Sequence, residues 1–390
     1  DITLCLNKVK GELEAAFLEK EIELITKLGV EIKTDTPLGP DLTVDNLLDD
    51  GFKAVYLALG AHKGISLGIP GEKAEGVRQG VDFLREVNLK GTASTGKKVV
   101  IIGGGNVAID VSRSAVRLGA EEVTIIYRRT RTEMPAWEEE IVAAEVEGVK
   151  ISYLSAPQEI LTENDKITGI RCIKMELGEA DSSGRRRPVP VPGSEYDIEV
   201  DQIIPAIGQR PDLSSIDKVE GLNFTKWNTA ETDQVTYSTG RKGVFAGGDL
   251  QTGPWVAIGA IAAGREAAES ITRYIDGQDM AEGRESSINE DPVFRPIPED
   301  EEKIERARMP ELHIEKRSGN FDEVELGYEE EPGKKEASRC LNCGYCSECL
   351  QCVDVCLAEA IDHCQEVKNE EIKVGSVILC PGADTFDPSG

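Results

Sequence analysis

The stretch Lys97-Lys-Val-Val-Ile-Ile-Gly-Gly-Gly-Asn-Val-Ala-Ile-Asp110 limits the fold more than any other part of this 390-residue chain. A buried-type apolar run leads into Gly103-x-Gly105-x-x-Ala108, and helical patterning follows from Val107 to Leu118. A second apolar strand, Val123-Thr-Ile-Ile-Tyr127, completes a βαβ unit. Gly103 permits the tight turn, Gly105 lets the backbone approach a pyrophosphate, and Ala108 lets helix pack on strand. Gly104, Asn106 and Val107 fill out the loop, whose amide groups and helix dipole face the phosphates. The competing reading is a glycine turn with no ligand.

The end of the second strand selects the dinucleotide. A site for NAD usually places a carboxylate there to bond the ribose 2'-hydroxyl, whereas this chain reads Tyr127-Arg-Arg-Thr-Arg131. Guanidinium forks make charge-assisted, often bidentate bonds to phosphate, so Arg128 and Arg129 point to NADPH. Arg131 is a third, weaker candidate, and a solvated basic corner is the alternative.

Further along, Gly243-Val-Phe-Ala-Gly-Gly-Asp-Leu250 ends a strand in Gly248-Asp249 ahead of a small-residue helix, Ala257 to Ile271. In flavoproteins with two dinucleotide domains, an aspartate at that point accepts a bond from the ribityl chain of FAD. Two companion segments, Tyr56-Leu-Ala-Leu-Gly60 and Ile203-Ile-Pro-Ala-Ile-Gly208, are each a strand leading to a glycine turn. Such turns mark the crossings between FAD and NAD(P) halves, so the nucleotide domain is expected to be inserted into the FAD domain. Each alone also reads as an ordinary turn between helix and strand.

Cys340, Cys343, Cys346, Cys349, Cys352 and Cys356 form a C-x2-C-x2-C-x2-C-x2-C-x3-C array. Its last four members repeat the C-x2-C-x2-C-x3-C run of bacterial ferredoxins, in which short loops let successive thiolates reach different irons of one 4Fe-4S cubane. A disulfide framework would need a small secreted domain, and four-cysteine zinc sites usually separate two C-x2-C pairs by a longer loop. One cluster or two remains open. Cys346, Cys349 and Cys352 could share one cubane while Cys340, Cys343 and Cys356 start another, with Cys364 the nearest spare thiol.

A formal net charge of -28 argues against nucleic acid and anionic lipid surfaces as partners, since both would be repelled. No signal-peptide pattern and no run near the roughly 18 apolar residues of a membrane span is present, so a reducing, cytoplasmic setting is expected. The chain starts at Asp1 and stops at Gly390 just after a strand-like run, Val374-Gly-Ser-Val-Ile-Leu379, as a fragment would.

Taken in order, Leu59-Gly-Ala, Ile69-Pro-Gly71, Gly103 to Asp110, Tyr127-Arg-Arg129, Glu133-Met-Pro-Ala136, Ala206-Ile-Gly-Gln209 and Gly247-Gly-Asp249 resemble the NADPH-dependent glutamate synthase small-subunit family over roughly residues 17 to 275. The resemblance implies FAD and NADPH held in adjoining Rossmann-like domains, and it supports Arg128 and Arg129 at the 2'-phosphate. The C-terminal end, with Ala337-Ser-Arg-Cys-Leu-Asn-Cys-Gly344 and Val374 to Gly382, resembles heterodisulfide reductase A-type flavoproteins, in which a ferredoxin-like segment adjoins another FAD domain. One departure stands out. The small-subunit family opens on a strand and a G-x-G-x-x-G turn for FAD, and nothing upstream of Gly103 carries that spacing.

The expected fold class is therefore α/β, a Rossmann-like two-dinucleotide-domain flavoprotein lacking its first FAD βαβ unit, with a C-terminal ferredoxin-like iron-sulfur segment. The expected divisions are a partial FAD domain at 1–95, an NADPH domain at 96–205 and a returning FAD segment at 206–280. An acidic solvated linker at 281–335, the iron-sulfur segment at 336–366 and the start of a further flavoprotein domain at 367–390 follow. NADPH delivers two electrons as hydride and a cluster accepts one at a time, so a flavin is needed between them. The expected activity is an NADPH oxidoreductase passing electrons to other redox subunits or a downstream flavin module in a multi-subunit complex. A true glutamate synthase small subunit and a non-catalytic electron relay or scaffold are the alternatives. No catalytic side chain is nominated; His62, His313 and His363 read as surface or packing residues, Cys5 and Cys172 as buried thiols, and Trp137 to Glu145 as a helical cover for the sheet.

Overall fold

A computed structural model describes residues 12–180, 186–284, 303–317 and 319–339. The cysteine array, Cys5, His363, Cys364 and the 374–390 run lie outside the described residues. The chain divides into two units, one drawing on residues 1–291 and 308–329, the other on 292–307 and 330–390.

Along the first unit run helix α1 (Glu12–Lys27), the short α2 (Val44–Asp49), strands β1 (Val55–Leu57) and β2 (Lys63–Gly64), and helix α3 (Gly80–Lys90). Next come β3 (Lys98–Ile102), α4 (Asn106–Arg117), β4 (Glu122–Ile126), α5 (Glu138–Val146) and β5 (Lys150–Ser152). The predicted βαβ unit is thus present to within a residue at each boundary. Strand β10 (Gln202–Pro205) joins it, after β6 (Ser155–Glu163), β7 (Lys166–Ala180), β8 (Arg186–Pro190) and β9 (Tyr196–Glu199), to give a parallel sheet ordered β10-β3-β4-β5.

Both faces of this sheet are covered, as a parallel sheet requires. Side chains alternate along a strand, so Val99 and Ile101 of β3 enter one core with Phe83, Leu84 and Val87 of α3 and Ala108, Ile109 and Val111 of α4. Val100 and Ile102 enter the other, against Ile160, Ile167 and Ile170 of an antiparallel sheet in which β7 pairs with β6, β8 and β9. Two boundaries differ from expectation. Helix α3 packs on the nucleotide sheet and Val77 bridges Ile203, so the nucleotide domain takes in residues assigned to the partial FAD domain, because the amphipathic face of α3 finds its apolar partner there.

The second difference concerns the linker. Residues 308–329 belong to the first unit: Leu312 donates to Val324 across 2.7 Å, Leu326 to Pro310 across 2.9 Å, and Phe321 packs on the α3/α4 core. One aromatic side chain and one buried arginine, Arg317, anchor this piece, which is why it shows no apolar periodicity. Beyond β10, β11 (Gln209–Arg210) leads on to β12 (Val244–Ala246), the one-turn α6 (Asp249–Thr252) and α7 (Ala257–Asp276). Strands β1 and β12 pair in parallel over a core of Val44, Leu57, Ile216, Val244, Ala246 and Leu250.

In the second unit the described residues include α8 (Glu330–Ser338), held to the preceding segment where Glu336 accepts from the Ala307 amide at 2.8 Å. No helix among the described residues is long and apolar enough to cross a membrane.

Candidate nucleotide site

The loop between β3 and α4 is built as its spacing demands. Gly103 has φ +147°, and a Cβ there would overlap the carbonyl oxygen of Ala206 at the end of β10. Gly104 lies against the Tyr127 ring, 2.5 Å from where its Cβ would be. Gly105 caps α4 and is different: a Cβ there would meet nothing nearer than Pro135 Cγ at 3.9 Å, leaving room for a ligand against its backbone. Asn106 and Val107 begin the helix, and fully buried Ala108 seats it on the strand. Strands β10 and β4 flank β3 on opposite sides, so the loop opens at the carboxyl ends of the strands where the strand order reverses, the place where open α/β sheets bind ligands.

The Glu133-Met-Pro-Ala136 segment, with Trp137 after it, buttresses this loop. Ala136 donates its amide to Gly104 O at 3.2 Å, the Trp137 amide donates to Asn106 Oδ1 at 3.1 Å, and Tyr127 Oη donates to Glu133 O at 2.6 Å. Met134 and Ala136 are buried in the helix-side core. The available signal was Pro135 between two apolar residues, which marks a fixed rather than a mobile turn.

At the end of β4 the three arginines separate. Arg128 is exposed. Arg129 is 6% exposed and donates from Nε to the Arg186 carbonyl at 2.8 Å. Arg131 reaches the opposite way, to Glu145 at 2.7 Å and Glu138 at 2.9 Å, and those hydrogen bonds hold its guanidinium pKa above the usual value. Arg186 comes from β8, paired to β7, and its Nε and Nη2 bond Glu133 Oε1 at 3.0 and 2.7 Å. The other Glu133 oxygen accepts from the Thr130 amide and hydroxyl. The Thr130 hydroxyl bond and the Arg186 pair outweigh burial and keep this carboxyl below its ordinary pKa.

The two glycine-turn segments are brought together. After Gly60 the chain enters β2, after Gly208 it enters β11, and these pair antiparallel with Gln209 opposite Gly64 and Arg210 opposite Lys63. Ile65 also donates to Gly208 O at 3.1 Å. The pair joins the β1/β12 sheet to the nucleotide sheet through two adjacent strands, as expected for an inserted domain.

Past β12, Gly248 caps α6 and Asp249 Oδ1 accepts from the Trp255 amide at 3.2 Å. Beside them Trp255, Val256, Ile258 and Ile261 are exposed at the start of α7. Tyr56 Oη is buried against Gly247, has no hydrogen-bond partner among the described residues, and is pushed up to about 12 by burial and then by the nearby Tyr237. An apolar surface beside a carboxylate and an orphan hydroxyl fits one side of a flavin. His62 is exposed over Gly60 and His313 is exposed. Cys172 is fully buried, its thiol pushed up to about 12 by burial and then by Asp197, which makes it a packing residue.

Comparison with known proteins agrees with this architecture. The chain is 41% identical over 360 residues to the NADPH-Fe(3+) oxidoreductase subunit beta of Geobacter sulfurreducens, covering 84% of this chain and 53% of that one. It is 42% identical over 341 residues to the NADP(+)-dependent formate dehydrogenase subunit beta of Moorella thermoacetica, covering 84% and 47%. To the glutamate synthase [NADPH] small chain of Escherichia coli K12 it is 34% identical over 280 residues, covering 68% and 59%, which bears out the small-subunit resemblance. The chain thus spans about half the length of the first two relatives. Among solved structures, FprA from Mycobacterium tuberculosis (His57Gln mutant) shares the fold at a TM-score of 0.52 and 20% identity, over 62% of this chain and 68% of that one. Residues 7–264 match the pyridine nucleotide-disulphide oxidoreductase family. With its inserted Rossmann sheet, its glycine loop at the strand crossing and its two-stranded neck, the chain belongs to that family.

Proposed function

We propose that this chain is the NADPH-oxidising part of a multi-subunit oxidoreductase, in which electrons from NADPH pass by way of FAD to 4Fe-4S clusters and on to a further redox module. The observation that carries the reading is the open backbone at Gly105 between a buttressed glycine loop and exposed Arg128. Gly103, Gly104, Gly105, Asn106, Val107 and Ala108 would hold the pyrophosphate, with the amides of the α4 N-terminus as donors. Exposed Arg128 would take the 2'-phosphate, while Arg129, the other arginine expected there from the sequence, lies buried behind it with its Nε on a main-chain carbonyl. Gly60 and Gly208 set the neck, and Gly248 and Asp249 meet the flavin side.

FAD supplies the conversion of a two-electron hydride into single electrons when it is bound. The apolar α7 surface would exclude water from one face of that site, and Asp249 would accept a hydroxyl hydrogen bond. The six thiols Cys340, Cys343, Cys346, Cys349, Cys352 and Cys356 are a donor set suited to 4Fe-4S chemistry, one cluster or two. The relatives are named subunits of an Fe(3+) reductase and a formate dehydrogenase, which supports a common NADPH module serving different acceptors, the module downstream here resembling heterodisulfide reductase A. NADPH-driven reduction of a viologen dye by the intact protein tests the reading. Failure to reduce the dye with full FAD and iron content would favour a relay or scaffold. Glutamine-dependent 2-oxoglutarate amination with a large partner would instead mark a glutamate synthase small subunit.

A further inference from the structure

Arg186 lies far from the glycine fingerprint in sequence, yet its backbone and side chain both meet the turn that follows β4. Arg129 lies almost wholly inside the protein, its Nε committed to a main-chain carbonyl, so it is poorly placed to meet an incoming phosphate. The carbonyl it holds belongs to Arg186, on the strand that returns beside β7, with Ala180 opposite Arg186. Arg186 in turn lays its guanidinium on Glu133, whose second oxygen caps the Thr130 turn immediately after Arg129. Its side chain remains 53% exposed, and Nη1 takes no part in the Glu133 pair. The β7/β8 arm therefore delivers a fixed, solvent-accessible cation to the turn that begins at Arg128.

We infer that Arg186 is the second cation of the ribose 2'-phosphate subsite and that Arg129 is a positioning residue holding the β8 backbone against the end of β4. Arg128 and Arg186 then flank the phosphate, and Glu133 fixes the fork of Arg186 through Nε and Nη2, so that Nη1 of this exposed side chain is the edge that would meet the phosphate. The inference rests on the reading that this turn receives the 2'-phosphate, and the experiment separates the two.

Calorimetric titration of the full chain with NADP+ and with NAD+ is run on the unsubstituted protein and on Arg186→Ala, Arg186→Lys and Arg128→Ala. Losing one charge-assisted contact should weaken NADP+ binding of Arg186→Ala by about tenfold, leave NAD+ binding within about twofold, and be partly restored in Arg186→Lys. Equal weakening of both nucleotides by Arg186→Ala would mean a merely structural arm, and no weakening of either would mean no contact; both overturn the inference. If Arg128→Ala lowers the NADP+ preference while Arg186→Ala does not, the subsite stands and Arg186 leaves it. If the unsubstituted chain shows no NADP+ preference, the subsite and the inference fall together.

Discussion

Replacing Glu147 should loosen the nucleotide domain far more than a surface glutamate would. Its side chain, 2% exposed at the end of α5, accepts from Arg113 at 2.9 Å and Arg117 at 3.3 Å on α4, and stands 3.6 Å from Arg317 of the 308–329 segment. One carboxylate thus ties together two helices and a distant strap. Breaking a buried ion pair by removing one partner costs about 3–5 kcal/mol, because the other charge stays buried. In Glu147→Gln, Arg113 keeps Glu140 at 2.6 Å and Arg317 keeps Glu311 at 2.7 Å, leaving Arg117 as the cation that loses most. The expected loss is therefore at the lower end, ~3 kcal/mol, or ~5 °C in the melting of this unit. Burial works against ionisation of Glu147, yet hydrogen bonds from Arg113 and charge from Arg113 and Arg117 outweigh it and keep its pKa below 4.5. Its contribution is then complete above pH 4.5 and fades as pH falls through the lowered value, so the variant and the parent should converge in acid. Thermal melts at pH 7 and below pH 4.5, with hydrogen exchange on α4 and α5, measure this. A loss under ~1 kcal/mol at pH 7, or a gap that widens in acid, would refute the reasoning.

The glycine loop offers a paired test. Gly103→Ala should impair folding of the βαβ unit through its overlap with Ala206, whereas Gly105→Ala, with φ −92° and open space, should fold normally and bind NADP+ about tenfold or more weakly by calorimetry. Arg131→Ala should leave NADP+ affinity unchanged and cost ~1 kcal/mol or less in a melt, its ion pairs with Glu138 and Glu145 being partly exposed; an affinity loss would return Arg131 to the phosphate site. Cys172 should resist alkylation in the native protein and react only on unfolding, as peptide mapping after a brief iodoacetamide pulse would reveal. Anaerobic reconstitution should give at least about four irons per chain with the EPR signals of cubanes, and a smaller iron content would remove that assignment from the cysteine array.

The parts of the fold that were legible in the sequence are those fixed by short-range pattern. Strand β3, the glycine loop and α4 follow from an apolar run, three small residues and helical spacing, and the neck followed from two glycine turns that only their order linked. Contacts made at long range left no such trace. Nothing local in Arg186 says that a hairpin returns it to Arg129, and nothing in the acidic 308–329 segment says that Arg317 and Phe321 anchor it. Even within the motif, nothing in the sequence separates Arg128 from Arg129, and Arg131 is only the weaker third candidate. Burial, a carbonyl and two glutamates give them different duties.

The parallel pairing of β1 with β12 also sets an order of events during synthesis. Val55 lies opposite Val244, so about 190 residues must be made before that two-stranded sheet can close, and at about 5–20 residues per second the wait is roughly 10–40 s. The strands of the nucleotide sheet all lie between those two partners and form a contiguous stretch of chain. The inserted domain can therefore assemble on the ribosome first, and its closed neck then holds the two ends of the flavin-side sheet near each other, lowering the loop-closure entropy that so distant a pairing would otherwise cost.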